Sequence, residues 1–169
     1  NRLLGDTGND MQRYGGRIYI VVNVSSTIEV LNATTGEPIQ QISMLNGSNS
    51  KQPRNIVFSG NKALVSCFDG FVDVIDTATL SITKRIPVGL NPESMTIAGQ
   101  RLFVSNSGGL NAPTMDSTVS VIDLNALSET AKVVVGKNPG SIAADNNGNI
   151  FVIARGNYGS IPSRLKRID

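Results

Sequence analysis

The most constraining feature of this chain is that it repeats itself. Four short apolar runs begin at residues 17, 62, 101 and 149: Arg17-Ile18-Tyr19-Ile20, Lys62-Ala63-Leu64-Val65, Arg101-Leu102-Phe103-Val104 and Asn149-Ile150-Phe151-Val152. Their spacings are 45, 39 and 48 residues. Each is followed by a second run: Thr27–Asn32, Phe71–Asp76, Thr118–Asp123 and Arg164–Asp169. An independent marker keeps the same register. Pro53, Pro92 and Pro139 each stand three residues before Ile56, Met95 and Ile142, and Gly8 takes the same place before Met11. A period near 40 residues with insertions is the length of one four-stranded propeller blade.

The local signals are those of strands. Runs of four to six residues, rich in β-branched side chains and bounded by turn residues, favour strand over helix. Ser59-Gly60-Asn61 and Asp145-Asn146-Asn147-Gly148 predict tight turns between first and second strands, and Ala33-Thr34-Thr35-Gly36 one between third and fourth. The second strands are apolar on both faces, as a sheet packed between two neighbours requires. The third strands place Glu29, Asp73, Ser120 and Lys166 between apolar residues, which suits a position further from the axis. Fourth strands are expected around Ile39, Ile82 and Ala131. The expected fold is all-β: a propeller of antiparallel four-stranded blades at about 9–46, 53–89, 92–136 and 139–169, the last without its outer strand. These four blades are expected to be one segment of a longer propeller.

Composition narrows the function. The net charge of +2 has both signs spread along the chain, so no concentrated basic face points to nucleic acid. The densest basic run, Arg164, Lys166 and Arg167, reads as a solvated strand face. Histidine is absent, which excludes Ser-His-Asp and Cys-His catalysis and histidine metal sites. Cys67, the one cysteine, lies in an apolar stretch and reads as a buried small hydrophobe. Asp6-Thr7-Gly8-Asn9-Asp10 lacks the ligand spacing and closing glutamate of a calcium loop. Asp69 and Asp116 fall on different blades with nothing in the sequence to fix their separation, so a paired-carboxylate mechanism has no support. No catalytic residue, metal or cofactor is expected. There is also no tryptophan, which argues against a WD-repeat propeller.

Propeller topology sends the second-to-third and fourth-to-first connections to one face, around the central funnel. The long insertions all fall there: Asn106–Ser117 and Arg155–Ser163, against only Asn23–Ser26 and Phe68–Gly70 in the other units. Loops of Gly, Asn and Pro with a few apolar residues offer backbone donors and flat surfaces to a ligand. The expected ligand-binding residues are Arg54, Phe68, Asp69, Asn91, Glu93, Asn106, Ser107, Met115, Asn138, Arg155, Asn157 and Tyr158. Of these, Arg54, Asn91, Glu93 and Asn138 should point at the funnel mouth. Asp10, Asn55, Ser94 and Ser141 align next along the first strands and should line the channel and hold ordered water.

Val74-Ile75-Asp76-Thr77, Val121-Ile122-Asp123-Leu124 and the Asn-Pro steps resemble the YncE-like propellers. Gly5–Met11, Val104–Leu110 and Ala154–Gly159 resemble more narrowly the surface-layer-type propellers of Bacteroidetes, a group that includes a cobalamin-capturing surface lipoprotein. The resemblance spans essentially the whole chain. It implies a seven-bladed parent, export to the cell surface or periplasm, a lipid anchor on the parent, and no catalysis. A bulky ligand such as a corrinoid is implied as well. The alternative is a protein-interaction scaffold docking on an outer-membrane transporter or surface layer.

Overall fold

In a computed structural model that describes residues 3–168, the chain forms four sheets standing side by side. The first contains β1 (Gly8–Tyr14), β2 (Arg17–Val22), β3 (Thr27–Asn32) and β4 (Pro38–Ser43). A small hairpin of β5 (Leu45–Asn46) and β6 (Asn49–Ser50) follows. The second sheet is β7 (Pro53–Ser59), β8 (Lys62–Cys67), β9 (Phe71–Asp76) and β10 (Ser81–Pro87). The third is β11 (Pro92–Ala98), β12 (Arg101–Asn106), β13 (Thr118–Asp123) and β14 (Ser128–Val134). The fourth has three described strands, β15 (Pro139–Ala144), β16 (Ile150–Ala154) and β17 (Arg164–Ile168). Asp169, expected to end the last strand, lies outside the described residues. Strand order within each sheet follows the chain and every pair is antiparallel, so these are propeller blades. The β5–β6 hairpin carries no repeat signal and was not foreseen.

Turn chemistry explains the repeated Ile-Asp. Asn32, Asp76 and Asp123 close the third strands, and each Oδ1 accepts the amides two and three residues on. That caps the turn into the fourth strand. The chain then passes through a left-handed residue at Gly36, Leu80 or Leu127. Pro53, Pro92 and Pro139 each open an inner strand, where no ladder N–H is needed.

Apolar packing holds the blades together. One cluster, with Tyr19, Val21, Ile28 and Val30 against Ile56, Val65 and Ile75, joins the first two blades. Tyr14 stacks on Phe58 there, ring centroids 4.4 Å apart, and donates its hydroxyl to the Gly60 carbonyl at 2.6 Å. Leu64, Val72 and Val74 meet Leu102, Val104 and Ile122 between the second and third blades. Phe103, Val119 and Val121 meet Ile142, Ile150 and Val152 between the third and fourth. Each fully buried Leu or Ile contributes roughly 2 kcal/mol of transfer free energy.

The two end sheets repeat these faces outward. Met11 matches Ile56, which is buried against the first blade, yet Met11 is 63% exposed. Ile153 and Leu165, side by side on the fourth blade, match Val21 and Ile28 and are also exposed.

The third strands lie third from the axis, and in three of them the polar residue is enclosed. Glu29, Asp73 and Ser120 are buried. A polar residue buried in a strand must find a protein partner. Glu29 accepts from Thr27 and Gln41, and Ser120 accepts from Asn106. Asp73 is paired with Lys51 and Arg85. Lys166, with Arg164 and Arg167, is exposed on β17. Cys67 is buried, and burial, then Asp73 and Asp69, push its thiol well above the usual range.

Candidate functional site

The funnel face is assembled by one bond repeated in every blade. Asn23, Phe68, Ser107 and Arg155 follow the second strands, and their amides donate to the carbonyls of Thr7, Gln52, Asn91 and Asn138. Those four acceptors are the residues just before the inner strands, and all have positive φ, from 43° to 62°. Asparagine adopts this conformation most readily among residues with a side chain, which accounts for the Asn-Pro step at two of the four.

Two positions later, the blades present a row of side chains. Asn9, Arg54, Glu93 and Gly140 are equivalent, each the second residue of its inner-strand segment. Asn9 Nδ2 donates to the Arg54 carbonyl at 3.2 Å, and Arg54 Nη1 donates to Asn9 Oδ1 at 3.3 Å. Arg54 Nη2 is 2.7 Å from Glu93 Oε1, and its guanidinium lies over the Phe68 ring, 4.5 Å from the centroid. In the fourth blade the position is glycine, and Arg155 from the following loop takes the place. Its Nη1 is 3.4 Å from Glu93 Oε2. A Cβ on Gly140 would lie 2.3 Å from Arg155 Nε, so any side chain at this position would displace that guanidinium from where it rests against the strand.

Beneath the row is a second tier, Asp10, Asn55, Ser94 and Ser141. Both tiers line one polar cavity of about 330 Å³. The second tier also staples blades together. Asp10 Oδ2 accepts from Asn55 Nδ2 at 2.6 Å and from the Ile56 amide at 2.9 Å, while Asn55 Oδ1 accepts the Met95 amide at 3.0 Å. Asp10 and Asn9, read from the sequence within a calcium-like stretch, are thus committed to the neighbouring blade.

The structure sorts the expected ligand-binding residues into three groups. Arg54, Glu93 and Arg155 converge on the cavity, with Phe68 stacked behind Arg54. Asn91, Asn106, Ser107 and Asn138 are buried, and Asn91 and Asn138 do not point at the mouth as expected. Asn91 instead brackets two loops: Nδ2 donates to the Phe68 carbonyl, and Oδ1 accepts from the Leu110 amide and Asn111 Nδ2. Asn106 bonds Thr118, Ser120 and the Gly89 amide, and Ser107 bonds the Asn91 carbonyl. Asn91 and Asn138 share a left-handed backbone, but only Asn91 satisfies loop amides with its side chain; Asn138 Oδ1 is buried without a partner among the described residues. The remaining four stay on the rim, apart from the cavity lining. Met115 is half-buried, Tyr158 is exposed, and Asn157 holds its own loop through the Gly159 and Ile161 amides. Asp69 pairs with Arg85; burial raises its carboxyl above the usual value and outweighs that pairing.

Sequence reasoning missed Asn9 as a member of the row, although its offset from Gly8 matches that of Arg54 from Pro53. It also missed Lys51, whose Nζ lies 2.7 Å from Asp73 Oδ2 with both groups buried. No signal marked it, because it precedes the proline marker on an unrepeated hairpin. Among the described residues, no group of three or more Cys, Asp or Glu is placed to hold a metal ion.

Fold and site together define the class: a β-propeller with a polar funnel. No protein-family model matches the chain, and no curated protein is similar to it. Solved propellers are similar in fold. The hydrazine synthase of Kuenenia stuttgartiensis superposes with a TM-score of 0.80 at 20% identity, over 92% of this chain and 43% of that one. The WD40 propeller domain of Doa1 gives 0.72 at 13% identity, over 94% of this chain and 50% of that one. The computationally designed Ika4 protein gives 0.71 at 11% identity, over 97% and 92%. This chain therefore spans about half or less of the two natural propellers, and the likeness is one of fold.

Proposed function

We propose that this chain is the recognition half of a non-catalytic propeller that captures a bulky polar small molecule at its funnel mouth. The observation that carries the reading is the row of Asn9, Arg54, Glu93 and Arg155. It draws one residue from each blade, linked in sequence from Asn9 to Arg155, and the four line a polar cavity of about 330 Å³. Pockets with a few convergent polar groups of fixed orientation are the usual form of a ligand site. The outward-facing apolar faces of the first and fourth blades support a larger ring, completed to seven blades as the YncE-like resemblance implies. The same resemblance supports export, with the protein held at the cell surface or in the periplasm. A corrinoid is the specific ligand it favours. Calorimetric titration of the protein with cyanocobalamin should give saturable heat, with a rise in melting temperature. No heat and no thermal shift would exclude the corrinoid.

A second reading has its own support. Leu110 and Tyr158, at the tips of the two long loops, are 66% and 74% exposed, and Ile161 is exposed nearby. Apolar tips flanking one rim suit a protein partner such as an outer-membrane transporter. That reading expects a membrane protein to be retained on the immobilised chain and lost when the 107–116 loop is shortened.

A further inference from the structure

The funnel cavity is polarised, and we infer that its fourth-blade end is an oxyanion subsite that takes a carboxylate or phosphate group of the ligand. This rests on the reading of the funnel as a ligand site. Towards the first-blade end the polar groups are engaged, apart from Arg54 Nε, which is buried and out of a ligand's reach. Asp10 Oδ2 holds Asn55 and the Ile56 amide, Asp10 Oδ1 accepts the Met11 amide at 2.8 Å, and Asn55 uses both ends of its amide. At the other end they are not. Arg155 makes a single ion pair at 3.4 Å, by one of its three guanidinium nitrogens. The hydroxyls of Ser94 and Ser141, which line the same cavity, have no hydrogen-bond partner among the described residues. The free donors are thus a guanidinium and two hydroxyls, the set that binds a planar or tetrahedral oxyanion.

Charge and shape agree with this assignment. Glu93, the acid in the row, has one oxygen against Arg54 and the other against Arg155, so two arginines share one carboxylate. The cavity's other carboxylate, Asp10, balances the formal charge but sits at the first-blade end, held by Asn55 and two amides. An oxyanion arriving beside Arg155 therefore meets a guanidinium that only shares Glu93. Gly140 seats Arg155 by leaving out the side chain that the other blades place at this position.

The test is an NMR titration of the protein with sodium phosphate, sodium succinate and the neutral polyol xylitol, each against matched sodium chloride. Saturable shifts at Arg155 Nε and at the Ser94 and Ser141 amides are expected with phosphate or succinate and not with xylitol. Which of the two anions binds more tightly separates a phosphate ligand from a carboxylate. Arg155→Gln should weaken binding at least tenfold, Arg155→Lys less, and Gly140→Ala should weaken it by displacing Arg155 while keeping its charge. Heteronuclear spectra and melting curves of each variant report its folding. Shifts that do not saturate, or that survive Arg155→Gln in a folded protein, overturn the subsite. If cyanocobalamin still gives heat when neither anion binds, only the subsite falls. Anion binding without cobalamin heat removes the corrinoid and keeps the subsite.

Discussion

Lys51 offers the sharpest quantitative test of how the blades are joined. Its backbone belongs to the first blade's side, where the Lys51 amide donates to the Met44 carbonyl at 3.2 Å and to Ser26 Oγ at 3.2 Å. The ammonium reaches the second blade and meets Asp73 Oδ2 at 2.7 Å, with the two side chains 5% and 0% exposed. Removing one partner of such a buried pair costs roughly 3–5 kcal/mol, because the other charge is stranded. Arg85 Nε, 2.8 Å from Asp73 Oδ1, still faces that carboxylate. Lys51→Met, which keeps the aliphatic stem, should therefore fall at the low end, about 3 kcal/mol. For a chain of this size that lowers the melting temperature by about 6–12 °C. Asp73→Asn should cost a similar amount. Because the two residues touch, the double variant should lose less than the sum by about 1–3 kcal/mol. Urea unfolding of the four proteins followed by circular dichroism gives the cycle. A Lys51→Met protein within 0.5 kcal/mol of the parent, or strict additivity, would refute the claim that this pair joins the blades.

Two further outcomes follow from the loops and turns. Asn91→Ala removes three hydrogen bonds at a buried site, which should cost roughly 2–3 kcal/mol and speed amide exchange at Leu110 and Asn111; unchanged exchange at both would show that Asn91 does not hold the loop. Acid should unfold the protein through its turn aspartates. Asp76, Asp123 and Asp145 are held below the ordinary 3.8, chiefly by the Thr79 amide, the Ala126 amide and the Asn149 side chain respectively. A depressed native value adds stability above the unfolded value, and that stability is lost as pH falls through the native one. Asp69, raised chiefly by burial, acts in the opposite sense as it takes up its proton at higher pH. With three groups against one, the melting temperature should fall as pH drops below about 4. Asp123→Asn should flatten part of that fall, and a melting temperature constant from pH 7 to 2 would contradict the assignment.

How much could be read in advance depended on whether a residue's role was set by its neighbours in the chain or by another blade. Strand, turn and blade order were legible because Ile-Asp and the prolines act locally, on amides two or three residues away or on their own φ. The funnel residues were legible only by position. Arg54, Glu93 and Asn91 all flank a proline, yet the first two face the cavity and the third is buried under a loop. The side of the proline divides them, but what covers Asn91 is Leu110 and Asn111, residues 19 and 20 positions further on. Arg155 was legible as a loop arginine. Its seat on Gly140, and its link to Glu93 62 residues away, were not.

The repeat by itself therefore determined the architecture. A period near 40 residues with strand-length apolar runs leaves each sheet unable to bury both faces alone, so blades must stack around an axis. Only the tertiary structure decided what the irregularities do, because a blade's side chains are completed by partners from the next. Stacking buried Glu29, Asp73 and Ser120 of the third strands among protein partners, and brought a single arginine from an insertion into line with Asn9, Arg54 and Glu93.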